Sequence, residues 1–154
     1  MNSPLKSLGI VVSSVLLLSF NHSSSVATSP RTNCNIRVDN PHLSAVLQKT
    51  TGVTAVKVNA RSKCDKAMSN MTLTVEIYKV GFFRNELVRK AKREVLGYIP
   101  PNKVIKNFRT FEMCTSQRLS KYFGKAYATA LIEGRAFSTP AVWSARTVSL
   151  PCGT

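Results

Sequence analysis

The sequence has few acidic residues, few histidines and no long apolar run. Of 154 residues only seven are Asp or Glu and two are His, against 22 Lys plus Arg, so the formal net charge is +15. No apolar stretch reaches the length of about 18 residues that a membrane-spanning helix needs, which excludes a polytopic membrane protein. Hydrophobic residues still make up 44% of the chain. That fraction is too high for a disordered polycation, so the charge must lie on a folded body, and the length suggests one domain.

Motifs for catalysis, metal binding and phosphate binding are also missing. The sequence contains no Gly-x-Ser-x-Gly elbow, no glycine-rich phosphate loop and no C-x-x-C pair. The carboxylates are scattered singly, unlike the facing pair of a glycosidase; they are Asp39, Asp65, Glu76, Glu86, Glu94, Glu112 and Glu133. His42 follows Asn40-Pro41 and is interpreted as a turn histidine, with a hydrolase based on His42 as the alternative. We therefore expect no catalytic residue, no metal, no cofactor and no enzymatic activity.

Residues 1–27 have the pattern of a secretory signal peptide. Lys6 precedes the apolar run from Leu8 to Phe20, and Ser25-Val26-Ala27 places small residues at the −3 and −1 positions. We predict cleavage after Ala27, secretion, and a single β-sandwich domain over residues 28–154. Loss of Lys6 with the leader would leave a net charge of +14. The alternative is an uncleaved membrane anchor.

All four cysteines (Cys34, Cys64, Cys114 and Cys152) follow the leader. Export makes them disulfide candidates, and four cysteines allow three pairings. Residues 49–52 look like a turn between two extended segments, which would bring Cys34 near Cys64. This geometry favours Cys34–Cys64 with Cys114–Cys152 over the other two pairings. Each bridge would close a loop worth about 3–4 kcal/mol in the chain-entropy model.

Apolar and polar residues alternate along much of the chain, which is typical of strands with one buried and one wet face. The clearest stretches are 34–39, 56–64, 71–78 and 148–152. Further strands are expected at about 43–49, 103–112, 122–133 and 142–150. Residues 86–96 fit a helix or a strand, and the strand is favoured in this context. Cys114 does not share the alternate positions that the apolar residues Phe111 and Met113 occupy. We therefore predict a bulge or a strand end at Cys114. Seven to eight strands predict an all-β, two-sheet sandwich.

These elements resemble small exported bacterial proteins that have an immunoglobulin-like β-sandwich and two cysteine pairs, and that mostly lack an assigned function. The matching elements are Cys34 to Val38, Asn40-Pro41-His42, Val56 to Cys64, Leu73 to Ile77, Cys114 to Tyr127 and Val148 to Cys152. The resemblance covers nearly all of the mature chain and implies a fold and an exported location, but no catalytic residue. The only tryptophan, Trp143, lies near the C-terminus rather than between two core cysteines, which departs from the antibody-type pattern.

Basic residues concentrate between positions 84 and 109, with aromatic residues interleaved. The polyanion-binding candidates are Arg84, Arg89, Lys90, Lys92, Arg93, Lys103, Lys106 and Arg109. A cationic surface attracts polyanions through its field and through counterion release. We expect a secreted, non-enzymatic binding or structural module for an anionic wall polymer, acidic polysaccharide or lipid headgroups, with nucleic acid bound only non-specifically. The alternatives are a membrane-active or toxin-like protein, suggested by Phe82-Phe83, and charge that serves solubility alone.

Overall fold

The structure, a computed structural model, describes residues 33–154, and most of this part of the chain is β-strand. The predicted signal peptide and its cleavage point after Ala27 lie outside the described residues. The strands are β1 (Cys34–Val38), β2 (His42–Leu43), β3 (Ala55–Cys64), β4 (Met68–Lys79), β5 (Glu86–Ile99), β6 (Val104–Met113), β7 (Ser116–Ile132), β8 (Arg135–Ser138), β9 (Val142–Trp143) and β10 (Val148–Gly153), and the helix is α1 (Ala45–Thr51). The predicted seven to eight strands therefore become ten, of which β2 and β9 have two residues each.

The strands form two antiparallel sheets. In sheet A, β3 pairs with β1 and β2 along one edge and with β6 along the other. Sheet B has the order β10-β7-β4-β5, and the short strands β8 and β9 also pair with β7. The all-β class with two sheets follows from the period-two alternation, because each strand has one face that must be buried.

The core lies between the two sheets and is built from the apolar parity of each strand. Val56 and Val58 of β3 meet Leu73 and Val75 of β4, and all four side chains are fully buried. Burial of each such side chain contributes about 1.5–3 kcal/mol. Gly124 of β7 lies directly against β3, since a Cβ added there would be only 2.6 Å from a methyl carbon of Val58. A larger residue at Gly124 would push the sheets apart.

Two disulfides connect the strands in the pairing that the sequence favours. Cys34 and Cys64 lie opposite each other in the register of β1 and β3, so this bridge joins neighbouring strands of sheet A. Cys114 immediately follows β6, as its parity predicts, and bonds to Cys152 of β10. This second bridge links sheet A to sheet B. Two disulfides are consistent with an extracellular or periplasmic location, and no helix within residues 33–154 is long and apolar enough to span a membrane.

The predicted strand at 43–49 is wrong, because the chain forms the helix Ala45–Thr51 there. Ser44 caps the helix N-terminus by accepting a hydrogen bond from the Leu47 N–H at 3.4 Å. Gly52 ends the helix in the left-handed conformation with φ of 70°, which glycine adopts at little cost. No helix residue is buried, so a 3.6-residue apolar period had no reason to appear in the sequence.

Other boundaries also differ from the predicted ones. Residues 86–96 are a strand, as favoured, and β5 continues beyond them through Gly97 to Ile99. The predicted strand at 142–150 is interrupted, since β9 and β10 are separate strands that pair with different parts of β7. The interruption contains Ser144, whose hydroxyl accepts a hydrogen bond from the Gly124 N–H at 3.0 Å. The Ser144 hydroxyl thus accepts a hydrogen bond that a backbone carbonyl would accept in a continuous paired strand.

Candidate functional site

The basic residues of β5 do not share one surface. Because neighbouring residues of a strand point to opposite faces, Lys90 and Lys92 project from the outward face of sheet B, opposite outward residues of β4. Arg89 and Arg93 have the opposite parity and lie opposite core residues of β4. They remain exposed because β5 is the edge strand of its sheet. The predicted cluster is therefore divided by the alternation of the strand that carries it.

On the outward face of sheet B, an acid lies between two bases. Glu76 of β4 is directly opposite Lys90 of β5 and Lys125 of β7, and the two ammonium nitrogens are 3.1 and 3.4 Å from its carboxylate oxygens. The Glu76 side chain is only 5% exposed. It also accepts hydrogen bonds from the hydroxyls of Tyr78 at 3.0 Å and Tyr127 at 3.3 Å. Every part of this carboxylate thus faces a donor.

The surroundings of Glu76 fix its charge. Burial alone would raise the pKa of the carboxyl, but the bonds from Lys90 and Tyr78, together with the charge and bond of Lys125, outweigh burial and hold the pKa below its ordinary value of 4.5. The pKa of Lys90 is raised, first by its contact with Tyr127 and then by Glu76. Burial and the bond to Glu76 raise the pKa of Tyr78. We call Lys90, Glu76 and Lys125 the Glu76 row; their formal charges are positive, negative and positive in turn.

Aromatic rings surround Lys125 on the same face. Its ammonium nitrogen lies 5.3 Å from the ring centroid of Trp143 and 5.7 Å from that of Tyr127, within the range of cation–π attraction. Tyr78 and Phe123 stack with centroids 5.1 Å apart, and Trp143 is tilted against both. Glu76 is thus almost inaccessible to water on this ring-covered face, whereas the side chains of Lys90 and Lys125 stay partly exposed.

On the outward face of sheet A, three bases lie in one row. Arg37 of β1 is directly opposite Arg61 of β3, and Arg61 is directly opposite Lys106 of β6. All three side chains are exposed. Asp39, which follows β1, forms an ion pair with Arg61 at 3.6 Å, but the acid lies beside the row and occupies no position within it. The row is therefore positive at each of its three positions.

Two clefts continue this basic surface. The first, of about 370 Å³, is lined by Arg37 and Arg61 together with Lys63 and Asp65. The second, of about 230 Å³, lies where the free edges of β5 and β6 meet; it is lined by Arg93, Lys106, Asn107, Phe108 and Arg109. We call Arg37, Arg61, Lys106, Arg93 and Arg109 the cationic band.

The edges of β5 and β6 are held together at the second cleft by Asn107. This buried side chain donates hydrogen bonds at 3.1 Å to the carbonyl oxygens of Leu73 in β4 and Ala91 in β5. The bonds tie β6 of sheet A to sheet B without a continuous backbone ladder. Arg93 of β5 is thereby fixed beside Lys106 of β6, so bases from both sheets line one cleft.

Three of the eight predicted binding residues belong to the cationic band, namely Arg93, Lys106 and Arg109. The other five lie elsewhere. Lys90 is in the Glu76 row, Arg89 forms an ion pair with Glu112 at 3.8 Å, and Lys92 is exposed on the outward face of sheet B. Arg84 lies in the loop between β4 and β5, and Lys103 in the turn between β5 and β6.

Arg37 and Arg61 were absent from the predicted binding residues because they lie far from positions 84–109 in sequence. Pairing of β1 and β6 with β3 brings them beside Lys106. The signal was present in the alternation: Arg37 in β1 and Arg61 in β3 occupy the polar parity of their strands. Strand register, which the sequence does not state, was needed to see that they align.

His42 is a partly buried residue of β2. Its Nδ1 atom lies 3.0 Å from the carbonyl oxygen of Asn40, so the ring contacts the backbone of its own turn. Within residues 33–154, no three His, Cys, Asp or Glu side chains are grouped in a way that could hold a metal ion.

Comparisons with known proteins assign no family to this chain. No family model matches it, and no curated protein matches it. Among solved structures, it has a likeness to the putative ApaA protein of Bordetella pertussis, with 9% identity and a TM-score of 0.41 over 79% of this chain and 94% of that one. A second likeness is to a Northeast Structural Genomics Consortium target, with 10% identity and a TM-score of 0.36 over 75% of this chain and 86% of that one. Neither likeness identifies the fold family or the function of this chain.

Proposed function

We propose that the protein is an exported, non-enzymatic binding module whose cationic band holds an anionic polymer of the cell envelope or the extracellular space. The observation that carries this proposal is the row of Arg37, Arg61 and Lys106, three bases at directly paired positions of adjacent strands. Asp39 pairs with Arg61 alone, from beside the row, and bound anionic groups would supply the remaining negative charge.

The two charged rows of the molecule support this argument by their contrast. Like charges directly opposite each other across strands destabilise a sheet. Sheet B avoids this cost by placing Glu76 between Lys90 and Lys125, whereas sheet A leaves its central position to Arg61. A surface that serves solubility alone gains nothing from aligned like charges, since dispersed charges keep a protein equally soluble. An anionic ligand would neutralise the aligned bases of sheet A, as Glu76 neutralises Lys90 and Lys125 on sheet B.

The extent of the band favours a polymer over a single small anion. Three adjacent strands place the outer positions of the row about 10 Å apart, at about 4.8 Å between strands. Arg93 and Arg109 extend the band around the edge of sheet A into the second cleft. A chain with repeated anionic groups can contact several of these bases at once, and each contact releases counterions, so binding should weaken steeply as salt rises.

The proposal includes an immunoglobulin-like fold. The strand order supports this fold when β1, β3 and β6 are taken as strands A, B and E, and β5, β4, β7 and β10 as strands C′, C, F and G. Strand D of the immunoglobulin-type sheet has no counterpart among the strands of residues 33–154. The bridges differ from the antibody type, which joins strands B and F, and Trp143 lies on β9 rather than on strand C. Secretion is supported by the predicted leader and by the two disulfides.

Co-sedimentation with isolated cell envelope of the source organism tests the proposal. The band variant Arg37→Gln/Arg61→Gln/Lys106→Gln should lose at least about tenfold in retention at low salt, because three contacts to anionic groups are removed. Wild-type retention should fall steadily as salt is raised from low to high concentration. Absence of wild-type retention at low salt would refute the proposal.

A matched control separates the band from net charge. Lys49, Lys92 and Arg146 are exposed residues outside the band, and replacing all three by Gln removes the same three charges. Retention of the control variant on the envelope should stay within about threefold of wild-type retention, since long-range attraction changes only modestly when the contacting residues are intact. Equal losses in the two variants would mean that only net charge matters and that the band is not a site.

A further inference from the structure

The loop between β4 and β5 presents two phenylalanines to solvent. Phe82 and Phe83 are 94% and 95% exposed, and Val80 at the base of the loop is also exposed. The two phenylalanine rings contact each other edge to face, with centroids 4.8 Å apart. Scattered single apolar side chains are normal on protein surfaces, but two adjacent and almost fully exposed rings at a hairpin tip form a compact apolar point with no cover from residues 33–154.

Basic residues surround this hairpin tip. Lys79 ends β4 and Arg84 follows the two phenylalanines within the loop. The Val80 N–H donates to the carbonyl oxygen of Lys121 at 2.8 Å, which fixes Lys121 of β7 beside the base of the hairpin.

A cleft at the base of the hairpin adds a further base. The cleft, of about 500 Å³, is lined by Lys79 and Lys121 together with Arg118. The nearest acid along the chain is Glu86, opposite Lys79 at the start of β5. The end of the molecule that carries the exposed rings is therefore positively charged.

We propose that this tip docks on a lipid bilayer with anionic headgroups by inserting Phe82 and Phe83 into the interfacial region. Aromatic and aliphatic side chains bury their surface at the boundary between headgroups and acyl chains, while nearby Lys and Arg are attracted to anionic lipids. The tip presents both features in the required arrangement, with rings at the extremity and bases behind them. The charge complementarity favours an anionic bilayer over an apolar protein groove, because the surrounding bases would lose their water in such a groove without gaining a counter-charge.

This docking site is separate from the cationic band and does not rest on the proposed function. The first cleft of the band includes Asp65, which precedes the start of β4, whereas the tip follows the end of β4. The 12 residues of β4 span about 40 Å at about 3.3 Å per residue, and even Arg93 of the band, which lies opposite Leu73, is about 20 Å from the end of β4. Variants at one site therefore leave the other intact, and the two proposals can fail independently.

Sedimentation with sucrose-loaded vesicles tests the docking. Wild-type protein should bind vesicles of 70% phosphatidylcholine and 30% phosphatidylglycerol more tightly than vesicles of phosphatidylcholine alone. The variant Phe82→Ser/Phe83→Ser should lose at least about tenfold in partitioning, since both inserted rings are removed. The matched control Leu96→Ser/Tyr98→Ser removes two other exposed apolar side chains of β5 that are 80% and 74% exposed, and it should change partitioning less than about twofold.

Fluorescence reports insertion directly. Phe83→Trp in a Trp143→Phe background places the only tryptophan at the tip, and its emission should shift to shorter wavelength with anionic vesicles and be quenched by brominated lipid. Absence of wild-type binding to the anionic vesicles, equal binding by the tip and control variants, or no emission shift with vesicles would each overturn the proposal. Loss of vesicle binding in the band variant but not in the tip variant would also overturn it, because the band alone would then hold the membrane.

Discussion

Replacing Glu76 by Gln should destabilise the protein more than any other single removal of a surface-facing carboxylate. The variant keeps the shape of the side chain but leaves Lys90 and Lys125, both within 3.4 Å of the carboxylate in the wild type, without a counter-charge. Hydrogen bonds to charged groups contribute about 1.5–3 kcal/mol, and breaking a fully buried ion pair costs about 3–5 kcal/mol. The lysine side chains are 42% and 24% exposed, so water can partly solvate them and the lower range applies.

We therefore expect a loss of about 2 kcal/mol in the free energy of unfolding. For a domain of this size, about 3–5 °C per kcal/mol gives a fall in Tm of about 6–10 °C. Thermal unfolding followed by circular dichroism, and urea titration at pH 7, measure both quantities.

The control is Glu133→Gln. Glu133 forms an ion pair with Lys66 at 3.0 Å, about the same distance as Glu76 to Lys90, but the Lys66 and Glu133 side chains are 40% and 65% exposed. An exposed pair of this kind contributes about 0–1 kcal/mol. Equal destabilisation by the two substitutions, or a loss below about 0.5 kcal/mol for Glu76→Gln, would refute the reasoning that burial makes the Glu76 row strong.

Three further predictions concern the same structural features. The folded pKa of Glu76 lies below 4.5, so its stabilising contribution should be complete above the unfolded pKa and be lost as pH falls through the folded pKa. In urea titrations, the stability difference between wild type and Glu76→Gln should therefore be constant at neutral pH and shrink below about pH 4.5. A difference that grows on acidification would contradict this prediction. Arg37→Gln should raise stability by about 0.2–1 kcal/mol at low salt, since one like-charged neighbour of the row is removed, and thermal melts in high salt should show the gain disappear; a loss of stability at low salt would be the opposite result. Replacing Cys114 and Cys152 by Ser should lower the free energy of unfolding by about 4 kcal/mol, for a bridge with a sequence separation of 38, and a shift of the urea midpoint would show this loss. Non-reducing peptide mapping of the wild type should find no free thiol and no crossed pair.

The strands could be predicted where one face is buried and the other is wet. In β3, Val56, Val58 and Ala60 are buried between more exposed polar residues, and β1 shows the same alternation. In β4 the residue types alternate, but residues 73–77 are all buried. The helix could not be predicted in this way, because it has no buried face to impose a period on its sequence. Its only signals were the cap at Ser44 and the glycine at position 52.

The disulfide pairing was predicted correctly although the local structure behind it differs. The expected turn at 49–52 is the last turn of a helix and its glycine cap, yet the chain still reverses between β1 and β3 and places Cys34 opposite Cys64. The pairing depended only on the antiparallel return of the chain, so an error in the connecting element did not affect it.

The candidate site was predicted less well than the fold. A run of basic residues in sequence suggested one surface, but alternation along β5 sends Lys90 and Arg89 to opposite faces. The aligned bases Arg37 and Arg61 come from strands that are distant from this run, and only strand register brings them together. Charge that is clustered in sequence and charge that is clustered in space are different properties in a β-protein.

The central claim is that the aligned bases of sheet A bind an anionic polymer. The most direct measurement is the affinity for inorganic polyphosphate as a function of salt. It compares the wild type, the band variant at Arg37, Arg61 and Lys106, and the control variant at Lys49, Lys92 and Arg146. The band variant should bind more weakly and have a shallower slope of log affinity against log salt, by about one unit for each contacting charge removed. The control should keep the wild-type slope. Identical slopes for the two variants, or a wild-type affinity that does not depend on salt, would contradict the account.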